Sequence, residues 1–135
     1  VLEQMRQRFN AAGGAIGRPV AWLSSIDWRD VPMKLTSSQL APLLADLPGW
    51  RFDAQRGGLI EREYRFRDFA QAFGFMAQVA VVAESRNHHP EWFNVYNQVK
   101  VALTTHDVDG LSMKDIELAR FMDRAAAALT QEQAP

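Results

Sequence analysis

Residues 68–85 read DFAQAFGFMAQVAVVAES, and residues 86–106 continue RNHHPEWFNVYNQVKVALTTH. In the first stretch Phe69, Phe73, Met76, Ala80 and Ala83 recur at steps of four, three, four and three, the spacing of one helical face. They predict the buried stripe of a long central helix. Asn87 can take the left-handed conformation at its end, and Pro90 forbids continuation. Val, Trp, Phe, Tyr and Thr then dominate residues 91–96 and 99–105, predicting two strands that turn at Asn97-Gln98.

Working outward, Leu40, Leu43, Leu44 and Leu47 sit at helical spacing after the cap candidates Ser37 and Ser38, with Pro42 acceptable only in a first turn. Pro48-Gly49 ends that short helix. Trp50–Ala54 and Leu59–Phe66 flank Arg56-Gly57-Gly58, a glycine turn between two strands. Downstream, Ser112-Met113-Lys114-Asp115 resembles a capping box with Asp in place of Glu or Gln. It opens a helix to about Leu129, whose buried face is expected at Leu118, Met122, Ala125 and Leu129. The order α-β-β-α-β-β-α predicts an α+β fold, a four-stranded antiparallel sheet with three helices on one face.

A chain of 135 residues fits one domain with a real core. The expected division is an N-terminal extension over 1–32, accessory or weakly ordered, and a domain over 33–135, with Met33 as an alternative start. Arg6, Arg8, Arg18 and Arg29 would let the extension be a remnant of organelle targeting. A net charge of -1 offers no electrostatic footprint for nucleic acid or an anionic membrane. No apolar run is long enough to span a bilayer. Zero cysteines exclude disulfides and thiolate chemistry and fit a reducing compartment, so the cytoplasm is the expected location.

All three histidines, His88, His89 and His106, bracket the second predicted hairpin. A turn at Asn97-Gln98 pairs residues whose numbers sum to 195 and sets His89 opposite His106, with His88 able to face either way. Imidazoles beside Glu84 and Asp107 supply a proton donor and a proton acceptor near neutral pH, which suits elimination of water. Trp92 is either core or a flat surface for a bicyclic substrate. Glu84, at the unfavourable end of a helix dipole, requires either solvent or a histidinium partner. A tri-histidine zinc site is the metal alternative, but adjacent residues of an extended segment point to opposite faces, which sets His88 and His89 badly for one ion. Asp115 reads as a carboxylate of a helix N-terminus, and Phe69, Phe73 and Met76 as core.

Glu84, His88-His89-Pro90-Glu91-Trp92, Val95-Tyr96-Asn97, Thr105-His106-Asp107 and Gly110-Leu111-Ser112 together resemble the pterin-4a-carbinolamine dehydratases, also called dimerization cofactors of hepatocyte nuclear factor. The resemblance spans nearly all of Met33 to Ala128. It implies dehydration of 4a-hydroxytetrahydropterin to the quinonoid dihydropterin, within recycling of the cofactor of aromatic amino acid hydroxylases. It further implies His88 and His106 as the acid-base pair, with His89 and Glu84 completing the catalytic set. Pro90, Trp92, Thr104, Thr105 and Asp115 would bind the substrate. No metal or other cofactor is implied. The implied partners are the pterin, further copies of the chain as a homodimer or homotetramer, and a hydroxylase or transcription factor. Some bacterial relatives serve as assembly chaperones, and they lack the histidine set that is complete here.

Overall fold

The computed structural model describes residues 31–131. Their elements are α1 (Ser37–Ala45), β1 (Arg51–Asp53), β2 (Leu59–Arg65), α2 (Phe69–Ser85), β3 (Glu91–Val95), β4 (Gln98–Leu103) and α3 (Met113–Gln131), with short 3-10 turns at Gln55–Gly57 and His106–Val108. All strands pair antiparallel in the order β1-β2-β4-β3, which leaves β3 at an edge. The α+β order is the expected one. Apart from Val31 and Pro32, the extension over 1–32 lies outside the described residues.

Strand alternation decides which face of the sheet is covered. Ile60, Tyr64, Val99, Val101 and Leu103 point one way and are buried, whereas Glu63, Arg65 and Lys100 point the other way and are exposed. The buried set forms one cluster with Phe75 and Val79 of α2 and Ile116, Leu118 and Met122 of α3. The helices therefore cover one face and leave the other open. Asp123 ties the middle of α3 to this sheet, accepting from Trp50 Nε1 at 3.0 Å, Arg62 at 2.8 Å and the Tyr64 hydroxyl. Burial, reinforced by the Asp123 bond, pushes the Tyr64 phenol well above its ordinary range. Among the described residues no helix is long and apolar enough to cross a membrane.

Three local expectations require correction. The cap of α1 is Thr36 rather than Ser37 or Ser38, in a full capping box with Gln39, and Pro42 consequently lies beyond the first turn. The Ser38 carbonyl thereby loses its intrahelical donor.

The central helix is also rotated from its expected phase. Gln71, Ala72, Phe75, Val79 and Ala83 are buried, while Phe69 and Phe73 are 51% and 61% exposed and Ala80 faces outward. The helix is apolar on nearly every side, so periodicity alone could not select the inner face. Two contacts do: Phe75 inserts against Tyr64 and Phe66, with ring centroids 4.8 and 4.9 Å away, and the Gln71 amide donates to the Leu129 carbonyl of α3 at 2.9 Å.

The second hairpin turns at Tyr96-Asn97, one residue earlier than expected, so paired residue numbers sum to 193. Asn94 stabilises this turn by donating to the carbonyls of Tyr96 and Gln98, at 3.1 and 2.8 Å. Asn97 then bonds Phe66 through both backbone and side chain, which locks the turn to the β2–α2 junction. Tyr96 accepts the left-handed φ of 50° that this geometry demands.

Candidate active site

Helix ends deliver the first two site residues. At the C-terminus of α2, Asn87 adopts φ 49°, its N–H donates to the Glu84 carbonyl at 3.1 Å, and the His88 N–H donates to Ala83 at 3.0 Å. This is a Schellman termination, and it turns His88 back beneath the helix. At the N-terminus of α3, the Ser112 hydroxyl accepts from the Lys114 N–H at 3.2 Å and the Asp115 carboxylate accepts from the Ser112 N–H at 3.0 Å. Asp115 thus supplies the return half of the expected capping box, while the Ser112 hydroxyl takes the Lys114 N–H in place of the Asp115 N–H.

Only one Asp115 oxygen is used for capping. The other meets His88 Nε2 at 2.7 Å, in a region where His88 is 7% exposed and Asp115 not at all. The capping oxygen also accepts from the Thr105 hydroxyl at 2.6 Å, and the Thr105 hydroxyl in turn lies 2.7 Å from that of Ser112. With its other partners all donors, Asp115 acts as an acceptor, so His88 carries a proton on Nε2. In the neutral ring Nδ1 is then the basic nitrogen.

Beyond Thr105 the chain enters the 3-10 turn that begins with His106. His106 lines a cavity of about 460 Å³ together with Thr104, Thr105, Arg56, Gly57 and Asp109, a volume within the usual range of small-ligand sites. The hydroxyl hydrogens of both threonines are already committed, that of Thr104 to the Gly58 carbonyl at 2.8 Å and that of Thr105 to Asp115. Their remaining offer to a ligand is surface and acceptor capacity.

His88 and Asp115 are therefore joined through Thr105 to the cavity that His106 also lines, although neither stands in the lining itself. His89 and Glu84 are elsewhere. They pair with each other at 2.8 Å on the exposed end of α2, where the Glu84 side chain is 81% exposed and has solvent as well as a histidine beside it. The shifted register explains part of this separation, because extending the 193 pairing sets His89 opposite Thr104 instead of His106. Trp92 packs partly against the core and lines a neighbouring groove of about 700 Å³ that includes Glu61, Lys100 and Ala102 of the open sheet face. Pro90 is half-buried and lines neither recess. Among the described residues, no group of three or more His, Cys, Asp or Glu side chains is arranged to hold a metal ion.

Sequence reasoning missed Arg56. It adopts φ 55° in the β1–β2 connection, lines the histidine cavity, and bonds Glu91 of β3 at 2.6 Å. That guanidinium holds the Glu91 carboxyl below the usual carboxylate range, with a smaller pull from His106. Next to it, Gly57 has φ 80°, and a Cβ there would stand 1.9 Å from the Asp109 carbonyl oxygen. Only glycine lets the two turns approach this closely. The Arg-Gly-Gly run was a visible turn signal, but its contact with Asp109, 52 positions away by number, left no local trace.

The family model for pterin 4 alpha carbinolamine dehydratase matches residues 33–125. A Burkholderia orbicola protein named as a pterin-4-alpha-carbinolamine dehydratase is 58% identical over 94 residues, covering 70% of this chain and 91% of that protein. A Novosphingobium aromaticivorans protein of the same name is 54% identical over 90 residues, covering 67% and 93%. Among solved structures, a transcriptional coactivator/pterin dehydratase from Brucella melitensis is similar with a TM-score of 0.66 and 47% identity, covering 70% of this chain and 99% of that one.

Proposed function

The chain belongs to the pterin-4a-carbinolamine dehydratase family, and from that premise we propose that it is a hydro-lyase converting a 4a-hydroxytetrahydropterin to the quinonoid dihydropterin and water. The observation that carries the reading is the buried His88–Asp115 pair behind a cavity lined by His106. In this mechanism His106 gives a proton to the 4a hydroxyl as the carbon–oxygen bond breaks. His88, held through Nε2, takes the proton of the adjacent ring nitrogen on Nδ1. The proton gained by one imidazole and lost by the other balances, and water leaves. Each transfer is worth roughly 10²- to 10⁴-fold in rate.

In this reading Thr104 and Thr105 bound the space for the two-ring substrate, and Trp92, with Pro90 before it, extends that space toward the neighbouring groove. The His89–Glu84 pair, outside both linings, assists from the exposed end of α2. Asp115 serves through His88, since its full burial leaves no surface for a ligand. The reaction suits recycling of the cofactor of aromatic amino acid hydroxylases in the cytoplasm. Assembly into a homodimer or homotetramer is supported by Phe69, Phe73 and Val81, which stand 51%, 61% and 72% exposed on one side of α2. The test is spectroscopic: freshly generated 4a-hydroxytetrahydropterin should decay to the quinonoid product faster with the protein present. Decay at the spontaneous rate would reject the reading.

A further inference from the structure

Two of the three imidazoles are hydrogen-bonded to an acid, His88 to Asp115 and His89 to Glu84. His106 is served in another way. Arg56 stands in the lining of the same cavity and reaches out of it to Glu91, 2.6 Å away at the first residue of β3. Glu91 lines the groove on the open sheet face, so the ion pair lies between the two recesses. The side chains are 43% and 49% exposed, which makes the pair weak in itself and easily perturbed.

We propose that Arg56 and Glu91 are positioning residues that set the charge state of His106: Glu91 favours the imidazolium, and Arg56 moderates that pull. This rests on the acid-base role of His106 given above. The supporting geometry is that Arg56 and His106 share one cavity lining while the Arg56 guanidinium holds the Glu91 carboxylate. Other titratable groups near His106 are Asp107 and Asp109 of its own turn, Lys34, which precedes α1 and donates to the Asp109 carbonyl at 2.8 Å, and the buried Asp115–His88 pair bonded to Thr105. These stay constant when the pair is altered.

Removing the two members of one salt bridge should therefore move His106 in opposite directions. Without the Glu91 charge the imidazolium loses its counter-ion, so in Glu91→Gln the midpoint of the His106 ring titration, followed by NMR, moves to lower pH. In Arg56→Gln the unmoderated carboxylate moves it to higher pH. The expected size is roughly 0.2 to 0.7 pH unit in each case, as suits a half-exposed pair, and it shrinks in molar salt. Glu91→Asp, which keeps the charge, should hold the midpoint near wild type. The His106-dependent limb of the pH–rate profile follows the same signs.

A structural disturbance would not reverse sign between partners, so shifts in one direction, or no shift in either variant, overturn the inference. If His106→Ala abolishes dehydration while the titrations stay still, the role of the pair falls alone. Wild-type dehydration by His106→Ala removes the acid-base reading and this inference with it.

Discussion

His88 and Asp115, 27 residues apart in sequence, meet at 2.7 Å where the C-terminus of α2 faces the N-terminus of α3. One carboxylate both caps a helix and orients an imidazole, so the stability of α3 and the readiness of the site share a residue. That double duty separates two substitutions.

Asp115→Asn keeps the side-chain volume but can turn an N–H toward His88, which favours the wrong tautomer. Dehydration is expected to fall by roughly 10²-fold or more while the protein stays folded. Asp115→Ala leaves the Thr105 hydroxyl and the Ser112 N–H buried without their acceptor, at a cost of about 2 to 4 kcal/mol. Urea unfolding of both variants, beside their rates per folded molecule, checks the distinction.

Asp123→Ala should show the reverse profile. Trp50, Arg62 and Tyr64 all donate to this carboxylate, and its loss is expected to lower stability by about 2 to 4 kcal/mol. None of these groups lines the histidine cavity. The kcat per folded molecule should therefore stay within roughly threefold of wild type, well short of the effect of losing an acid-base group.

Gly57→Ala tests the approach of the two turns. The added Cβ collides with a backbone oxygen at a φ that side chains avoid, so either turn must yield, at about 1 to 3 kcal/mol. Because Gly57 and Asp109 both line the cavity, KM should rise more than kcat falls.

Acid should weaken the fold in a defined way. Asp68 caps α2 by accepting the Gln71 N–H at 2.8 Å, which holds its carboxyl below the ordinary value, and Arg56 does the same for Glu91. Folded values lower than unfolded ones mean that the stabilisation is present above the unfolded value and is lost as pH falls through the folded one. The urea midpoint should drop between about pH 5 and pH 3, and in Asp68→Asn, which keeps a cap acceptor without the titration, it should drop less.

What the sequence revealed was mostly what neighbours along the chain decide. Asn87 and Pro90 marked the end of α2, Ser112 and Asp115 marked the start of α3, and the alternation of the strands fixed the element order. The phase of α2 was hidden because Phe69 and Phe73 are as apolar as the buried Phe75. The hairpin register was hidden because Tyr96 is a poor candidate for a left-handed turn, and the side chains of Asn94 and Asn97 outweigh that preference. Arg56 was unreadable as a site residue because its place depends on Gly57 packing against a turn formed much later in the chain. That the histidines bracket the second hairpin was legible, whereas Asp115 as the partner of His88 required three-dimensional proximity to identify.

The most direct test of the central claim follows the decay of 4a-hydroxytetrahydropterin in the presence of wild type, His88→Ala and His106→Ala. The account predicts acceleration by wild type and a loss of roughly 10²-fold or more in each variant. Wild-type rates in both variants would contradict it.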